Sequence, residues 1–369
     1  MKEVRAQLSF VKKEAEQIAN ETNKKILLLG ENTRALNGLL DELQTIFDTI
    51  RGIPSDKQND LAQLAVVRLR WLQQVEKINK TYKAAEIKIM GSGAIGVSTG
   101  VTLATMGPSI AMGLATTFGV ASTGTAISTL SGAAATNAAL AWLGGGALTA
   151  GGSGMVAGSA ILALAGPVGW SIIGLGIAST GIMVYKNNSE KQRLEDIFKA
   201  IAYRDIKSYQ LATVELNERI LRINQEIPLL KQAIRKSKAF GTNYEMMTEQ
   251  QQYNLITFVN LMHASTYLLV NPVAGLMPKY TEHDLTRFQL VEGTERIIKG
   301  TYQGSRLYLN LANLLYQIPL DKTDKKILAK TLKNNQQFLD SVGISRRAFH
   351  ESMLDYVEYM LIEQYANGD

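Results

Sequence analysis

From Ile89 to Tyr185 the chain carries no Asp, Glu, Lys, Arg or His, a run of 97 residues bounded by Lys88 and Lys186. A water-exposed stretch of ordinary composition carries roughly a quarter charged residues. The window therefore suits a bilayer or a closely packed protein interior, because buried helices can be uncharged all round. Its length is several times the roughly 20 apolar residues of one bilayer crossing, and the sequence is read first as membrane-inserting.

Small residues dominate the window, which holds 21 of the 31 glycines and only two prolines, Pro108 and Pro167. Ser92, Gly96, Gly100 and Ala104 recur every four residues, as do Gly124, Ser128 and Gly132, and then Ala150, Gly154 and Gly158. Small residues at this period let helix backbones approach closely in lipid, where packing replaces the hydrophobic effect as the cause of association. These positions are the candidate helix-packing residues.

Lys80, Lys83 and Lys88 precede the window, and Lys186, Lys191 and Arg193 follow it. Cationic flanks on both sides place both ends on one membrane face and favour an even number of spans, two ahead of four. The span candidates are Met155–Tyr185, kinked at Gly166 and Pro167 with Trp170 and Tyr185 as interfacial anchors, and Gly93–Phe118, kinked at Pro108. The more polar stretch Gly119–Gly152 between them fits a hairpin tip, an interfacial patch or a further helix pair. Gly, Ser and Thr dilute the apolar residues that drive insertion. Such a segment can be sheltered against the protein's own helices and released later.

The flanks read as long helices. Leu36, Leu40, Leu43, Phe47 and Ile50 continue a three-four spacing begun by Val4, Leu8, Val11, Ala15 and Ile18. That pattern predicts a helix over about 4–52, ended by Gly52 and Pro54. Leu64, Val67, Trp71, Val75, Ile78 and Tyr82 mark a second helix from about Asp56, continuous with the uncharged window. Thr213, Leu216, Ile220, Ile223, Ile227, Leu230 and Ile234 mark a third over 187–236, with a possible kink at Pro228. Helices near 246–270, 283–318 and 322–366 follow, interrupted at Asn271-Pro272, Met277-Pro278, Pro319 and Gly343. The expected organisation is a long-helix hairpin over 1–88, the membrane-inserting segment over 89–185, a returning helix over 186–242 and a C-terminal helical section over 243–369.

Several function classes find no support. The chain has no cysteine, which excludes disulfides and thiolate chemistry. The net charge of +6 divides evenly, +3 on each side of the window, so no basic domain marks a nucleic-acid binder. Gly91, Gly93 and Gly96 match a dinucleotide fingerprint, and Gly152, Gly154 and Ala157 a variant of it, but no acidic residue follows before Glu190. Gly96, Ser98 and Gly100 match a nucleophile elbow without its strand or its partners. His263, His283 and His350 stand singly. Glu215 and Glu218 four residues before Arg219 and Arg222 read as surface ion pairing. We expect no enzyme, no cofactor and no metal. The opening MKEVRAQLSF is charged and lacks an apolar run, so no N-terminal secretory signal is expected.

The plan of long helices, a central uncharged hairpin and returning helices resembles the α-helical pore-forming toxins of the cytolysin A and haemolysin BL group over about residues 1–270. The stretch GGGALTAGGSGMVAGSAILALAGPVGW, from Gly144 to Trp170, is similar to glycine-zipper segments of bacterial membrane effectors in conflict and antiphage systems. The resemblance implies an all-α, elongated bundle that is cytoplasmic while soluble. It would then oligomerise, alone or with a second protein component, and insert its hairpin to permeabilise a lipid membrane. Thr99, Thr102, Thr105, Ser109, Thr116, Thr117, Ser171 and Thr180 are available to line such a pore. The rival expectation is a non-lytic, membrane-anchored helical scaffold.

Overall fold

The computed structural model of the chain describes residues 2–91, 108–118, 188–277, 279–280, 284, 302–335, 338–339 and 344–366. Among the described residues the fold is all-α, with no strand. Helix α1 (Lys2–Asp48) and α2 (Ser55–Gly91) are joined by a tight turn in which Gly52 takes a positive φ of 75°. A short helix, α3 (Pro108–Phe118), comes from inside the uncharged window. The 50-residue α4 (Asn188–Ser237) and α5 (Glu249–Val270) follow, and then α6 (Tyr302–Leu315), α7 (Lys322–Lys333) and α8 (Ser352–Ala366).

The predicted stripes form the interior. Leu36, Leu40, Leu43 and Phe47 of α1, Ile50 just beyond its end, Leu64, Val67, Trp71, Val75 and Ile78 of α2, and Thr213, Leu216, Ile220, Ile223, Leu230 and Ile234 of α4 are all buried. Ile227 packs against the same core while partly exposed. Pro228 sits within an unbroken α4.

Pairings along the chain fix direction. Thr22 bonds to Thr213, Glu42 accepts from Lys238, and Arg51 exchanges backbone hydrogen bonds with Thr242 and Tyr244, so α1 and α4 run parallel. Ser265 donates to Glu226 and Arg219 reaches Leu268, so α5 returns antiparallel to α4. One core gathers the C-terminal half of α1, α2, α3, α5 and the C-terminal half of α4. A second gathers Val11, Ala15 and the N-terminal half of α4 with α6, α7 and α8. The two longest helices thus belong to both.

The second core is tied to α4 by polar contacts. Arg193 bonds to Asp321 at 2.7 Å and Asp324 at 2.8 Å, the two residues that form the capping box of α7. Arg193 and then the backbone N–H of Asp324 hold the Asp321 carboxyl below its ordinary pKa. Lys325 bridges to Asp355 and Glu358 of α8.

The C-terminal section differs from expectation in one respect. Among the described residues the helix expected over 322–366 is already broken at Asn334, before Gly343, and α7 and α8 are separate elements of it. There the Asn334 N–H bonds to the carbonyls of Lys330, Thr331 and Leu332, and the Asn335 side chain accepts from the Phe338 N–H. Asparagine side chains compete with helical hydrogen bonding in this way.

Leu216, fully buried on α4, and Leu221, 58 % exposed five residues on, give a direct test of this packing. Leu216→Ala is expected to cost about 2–5 kcal/mol in denaturant unfolding. Leu221→Ala is expected to change stability by no more than about 0.5 kcal/mol.

Candidate functional site

Apart from the last residues of α2, helix α3 is the part of the uncharged window that the structure describes, and it lies within the bundle. Its sequence, PSIAMGLATTF, has no charge, and Pro108 opens it at the position where proline is best tolerated. Ile110, Ala111, Leu114, Ala115, Thr116, Thr117 and Phe118 are all buried, while Ser109 and Met112 are partly so. The helix packs against α1, α2 and α5, and its backbone comes much closer to α1 than α2 does.

The closeness has a specific cause. A Cβ added to Gly30 of α1 would collide with the carbonyl oxygen of Ser109, and one added to Gly113 of α3 would collide with the carbonyl oxygen of Ile26. Each glycine accepts the other helix's backbone where any side chain would stand. Gly38, two turns further along α1, has nothing within 4 Å of such a Cβ. A mid-helix glycine costs about 0.5–1 kcal/mol against alanine. At position 30 that cost is the condition for the contact.

Polar groups on α3 are met from two sides. The Trp71 indole N–H of α2 donates to the Thr116 hydroxyl at 3.2 Å. The Val273 N–H donates to the Thr117 carbonyl at 2.7 Å. On α1 the Thr33 hydroxyl donates to the Gly30 carbonyl. The Thr117 hydroxyl is buried and finds no partner among the described residues. Such a group costs about 1–3 kcal/mol, which partly offsets the burial of the helix at its last turn.

Near the α1–α2 turn, buried Arg68 donates to Gln44, which in turn donates to Asp48. Burial pushes the Arg68 guanidinium below its ordinary pKa, and Asp41 and Asp48 oppose the shift. Arg219 departs from the expected surface pairing with Glu215. Its guanidinium donates to the carbonyls of Leu268 and Asn271 at the end of α5, while Glu218 and Arg222 do pair at 2.6 Å.

Burial of Ile110, Leu114 and Phe118 together stabilises the enclosed helix by about 5–9 kcal/mol at the transfer value for large apolar side chains. Exposing these side chains to water would forfeit that contribution. Among the described residues no helix is long and apolar enough to cross a membrane, and α3 has 11 residues.

Of the predicted packing residues, only Pro108 falls on the described part of the chain. Ser92, Gly96, Gly100, Ala104, Gly124, Ser128, Gly132, Ala150, Gly154, Gly158, Gly166, Pro167, Trp170 and Tyr185 lie outside the described residues. Of the span candidates, Pro108–Phe118 is described, and α2 carries the helix as far as Gly91 at the start of the window. Of the described candidates for a pore lining, Thr116 and Thr117 are buried within the bundle and Ser109 is partly exposed. Gly30, Gly113, Trp71 and Val273 were missed as members of this site. Gly30 carried a signal, being a glycine inside a long helical pattern with no turn to explain it. Among the described residues no group of three or more His, Asp or Glu could hold a metal.

No family model matches the chain, no curated protein resembles it at a significant level, and no solved structure matches its fold at a significant level. Gly30 and Gly38 provide the internal comparison that tests the site. Gly30→Ala is expected to destabilise the protein by about 1–3 kcal/mol through overpacking. Gly38→Ala is expected to stabilise it by about 0.5–1 kcal/mol through helix propensity, both read in denaturant unfolding.

Proposed function

We propose that this chain is a non-enzymatic, pore-forming protein that oligomerises, inserts its glycine-rich uncharged segment into a lipid bilayer as a helical hairpin and permeabilises it, in the manner of a bacterial toxin or cell-killing defence effector. The observation that carries this reading is α3, an uncharged helix held inside an amphipathic bundle by backbone contact at Gly30 and Gly113. A water-facing bundle around an uncharged segment is what a protein needs if it is to remain in solution before it enters a membrane. The proposed switch exchanges one apolar surrounding for another, so the burial of Ile110, Leu114 and Phe118 is recovered in lipid rather than lost to water. In this reading the bundle is elongated, α1, α2 and α4 act as its coiled-coil-like stalk, and the protein is cytoplasmic before insertion.

Leu211, Val214 and Leu221 support self-association. They lie along one side of α4 and are 53 %, 63 % and 58 % exposed. Apolar side chains repeated on an exposed helix face suit a second helix of the same kind. The lipid bilayer and further copies of this chain are the proposed partners, with or without a second protein component.

The hydrogen bonds that Trp71 and Val273 make to α3 favour a second reading. In it, α3 is a fixed core helix, the rest of the uncharged window anchors the chain, and the protein is a non-lytic scaffold. Dye release from neutral and anionic liposomes separates the two. Protein purified without detergent is expected to release dye, Gly30→Val to release it faster because α3 no longer fits, and a chain lacking residues 91–184 to release none. Entrapped dye with both wild type and a folded Gly30→Val protein contradicts the pore reading.

A further inference from the structure

We infer that the turn from Asn271 to Met277 is a clasp that holds α3 in the bundle, and that its opening is the step that lets α3 leave. The inference rests on the pore-forming reading for what α3 does next, but the clasp itself is defined by contacts on the closed form. Its middle touches α3 through a backbone bond, Val273 N–H to Thr117 carbonyl at 2.7 Å. The bond therefore reaches α3 from outside the helix, at the next-to-last of its described residues. Val273 itself is fully buried.

The ends of the clasp are fastened to α4. Arg219 donates to the carbonyl of Asn271 at 2.7 Å and to that of Leu268 at 3.0 Å, fixing where α5 stops and the clasp begins. On the other side of Val273, a Cβ on Gly275 would stand 2.7 Å from the Ala212 nitrogen and 2.9 Å from the Ser208 carbonyl oxygen of α4. The Gly275 N–H also points to the Glu215 carboxylate at 3.4 Å. Pro272 follows Asn271 directly and cannot continue the ladder of α5, so the connection stays a turn, with a single 3₁₀ stretch at Ala274–Leu276.

Withdrawal of the clasp removes this hydrogen bond and the buried Val273 side chain from the enclosed helix, so clasp opening destabilises α3 in the bundle.

The test compares the full-length protein with Gly275→Val, which cannot fit against α4, and Arg219→Gln, which removes the charged donor without adding bulk. Backbone hydrogen exchange is read by mass spectrometry, and liposome leakage is read on the same samples. Exchange at Met112–Phe118 is expected to rise at least about ten-fold in both variants while Leu216–Ile234 of α4 stays protected, with leakage rising in step. Where Gly275→Val loosens α4 as well, Arg219→Gln alone decides. Unchanged protection of α3 in Arg219→Gln overturns the clasp. Freed α3 without leakage from any variant upholds the clasp and overturns the pore-forming reading instead.

Discussion

The enclosure of α3 depends on one contact, the passage of two helix backbones across each other at Gly30 and Gly113. With side chains at those positions α1 and α3 would stand apart, and the space between α1, α2 and α5 would no longer match an 11-residue helix. The other features of the site follow from that approach. Trp71 can reach Thr116, Val273 can reach the Thr117 carbonyl, and Ile110, Leu114 and Phe118 can join the same core as Leu36 and Leu40. Small residues at helical spacing are usually discussed as a means of assembly in lipid. Here Ser109 and Gly113, four residues apart, show the same geometry used inside a protein core.

This use of small residues gives the uncharged segment two compatible surroundings. An amphipathic helix released from a bundle would have to hide one face and solvate the other. A helix without charge has no such conflict and exchanges protein for lipid at little cost, provided its terminal backbone groups are satisfied in both states. Among the described residues the Thr117 hydroxyl has no partner, and the Thr117 carbonyl takes a hydrogen bond from Val273, outside the helix.

Much of the fold was legible because its helices are long and their stripes regular. The residues that the three-four spacing selected from Leu36 to Ile50 are buried, as are those from Thr213 to Ile234 except the partly buried Ile227. The place of α3 was not legible, since a helix that is apolar on all sides gives no face from which to infer a partner. Gly30 was visible as an oddity, whereas its mate Gly113 was one small residue among many. Arg219 was misread for a related reason: the spacing to Glu215 is real, but the carbonyls it meets at Leu268 and Asn271 are about 50 residues away in sequence. Helix α7 ends at Asn334, beside the Asn335 side chain that accepts from the Phe338 N–H, a local contact that periodicity does not record. The resemblance to helical toxins came from the order of charged and uncharged blocks, and it supports the functional proposal at that level.

The most direct measurement of the account follows α3 itself. The chain has no cysteine, so Met112→Cys, at a partly exposed position on α3, carries a single environment-sensitive fluorophore. With liposomes containing a quencher attached to the acyl chains, the account predicts that the label is quenched as α3 passes from the bundle into lipid, on the same time course as permeabilisation. Permeabilised liposomes with a label that no acyl-chain quencher reaches would show that α3 stays in the bundle, and would contradict the account.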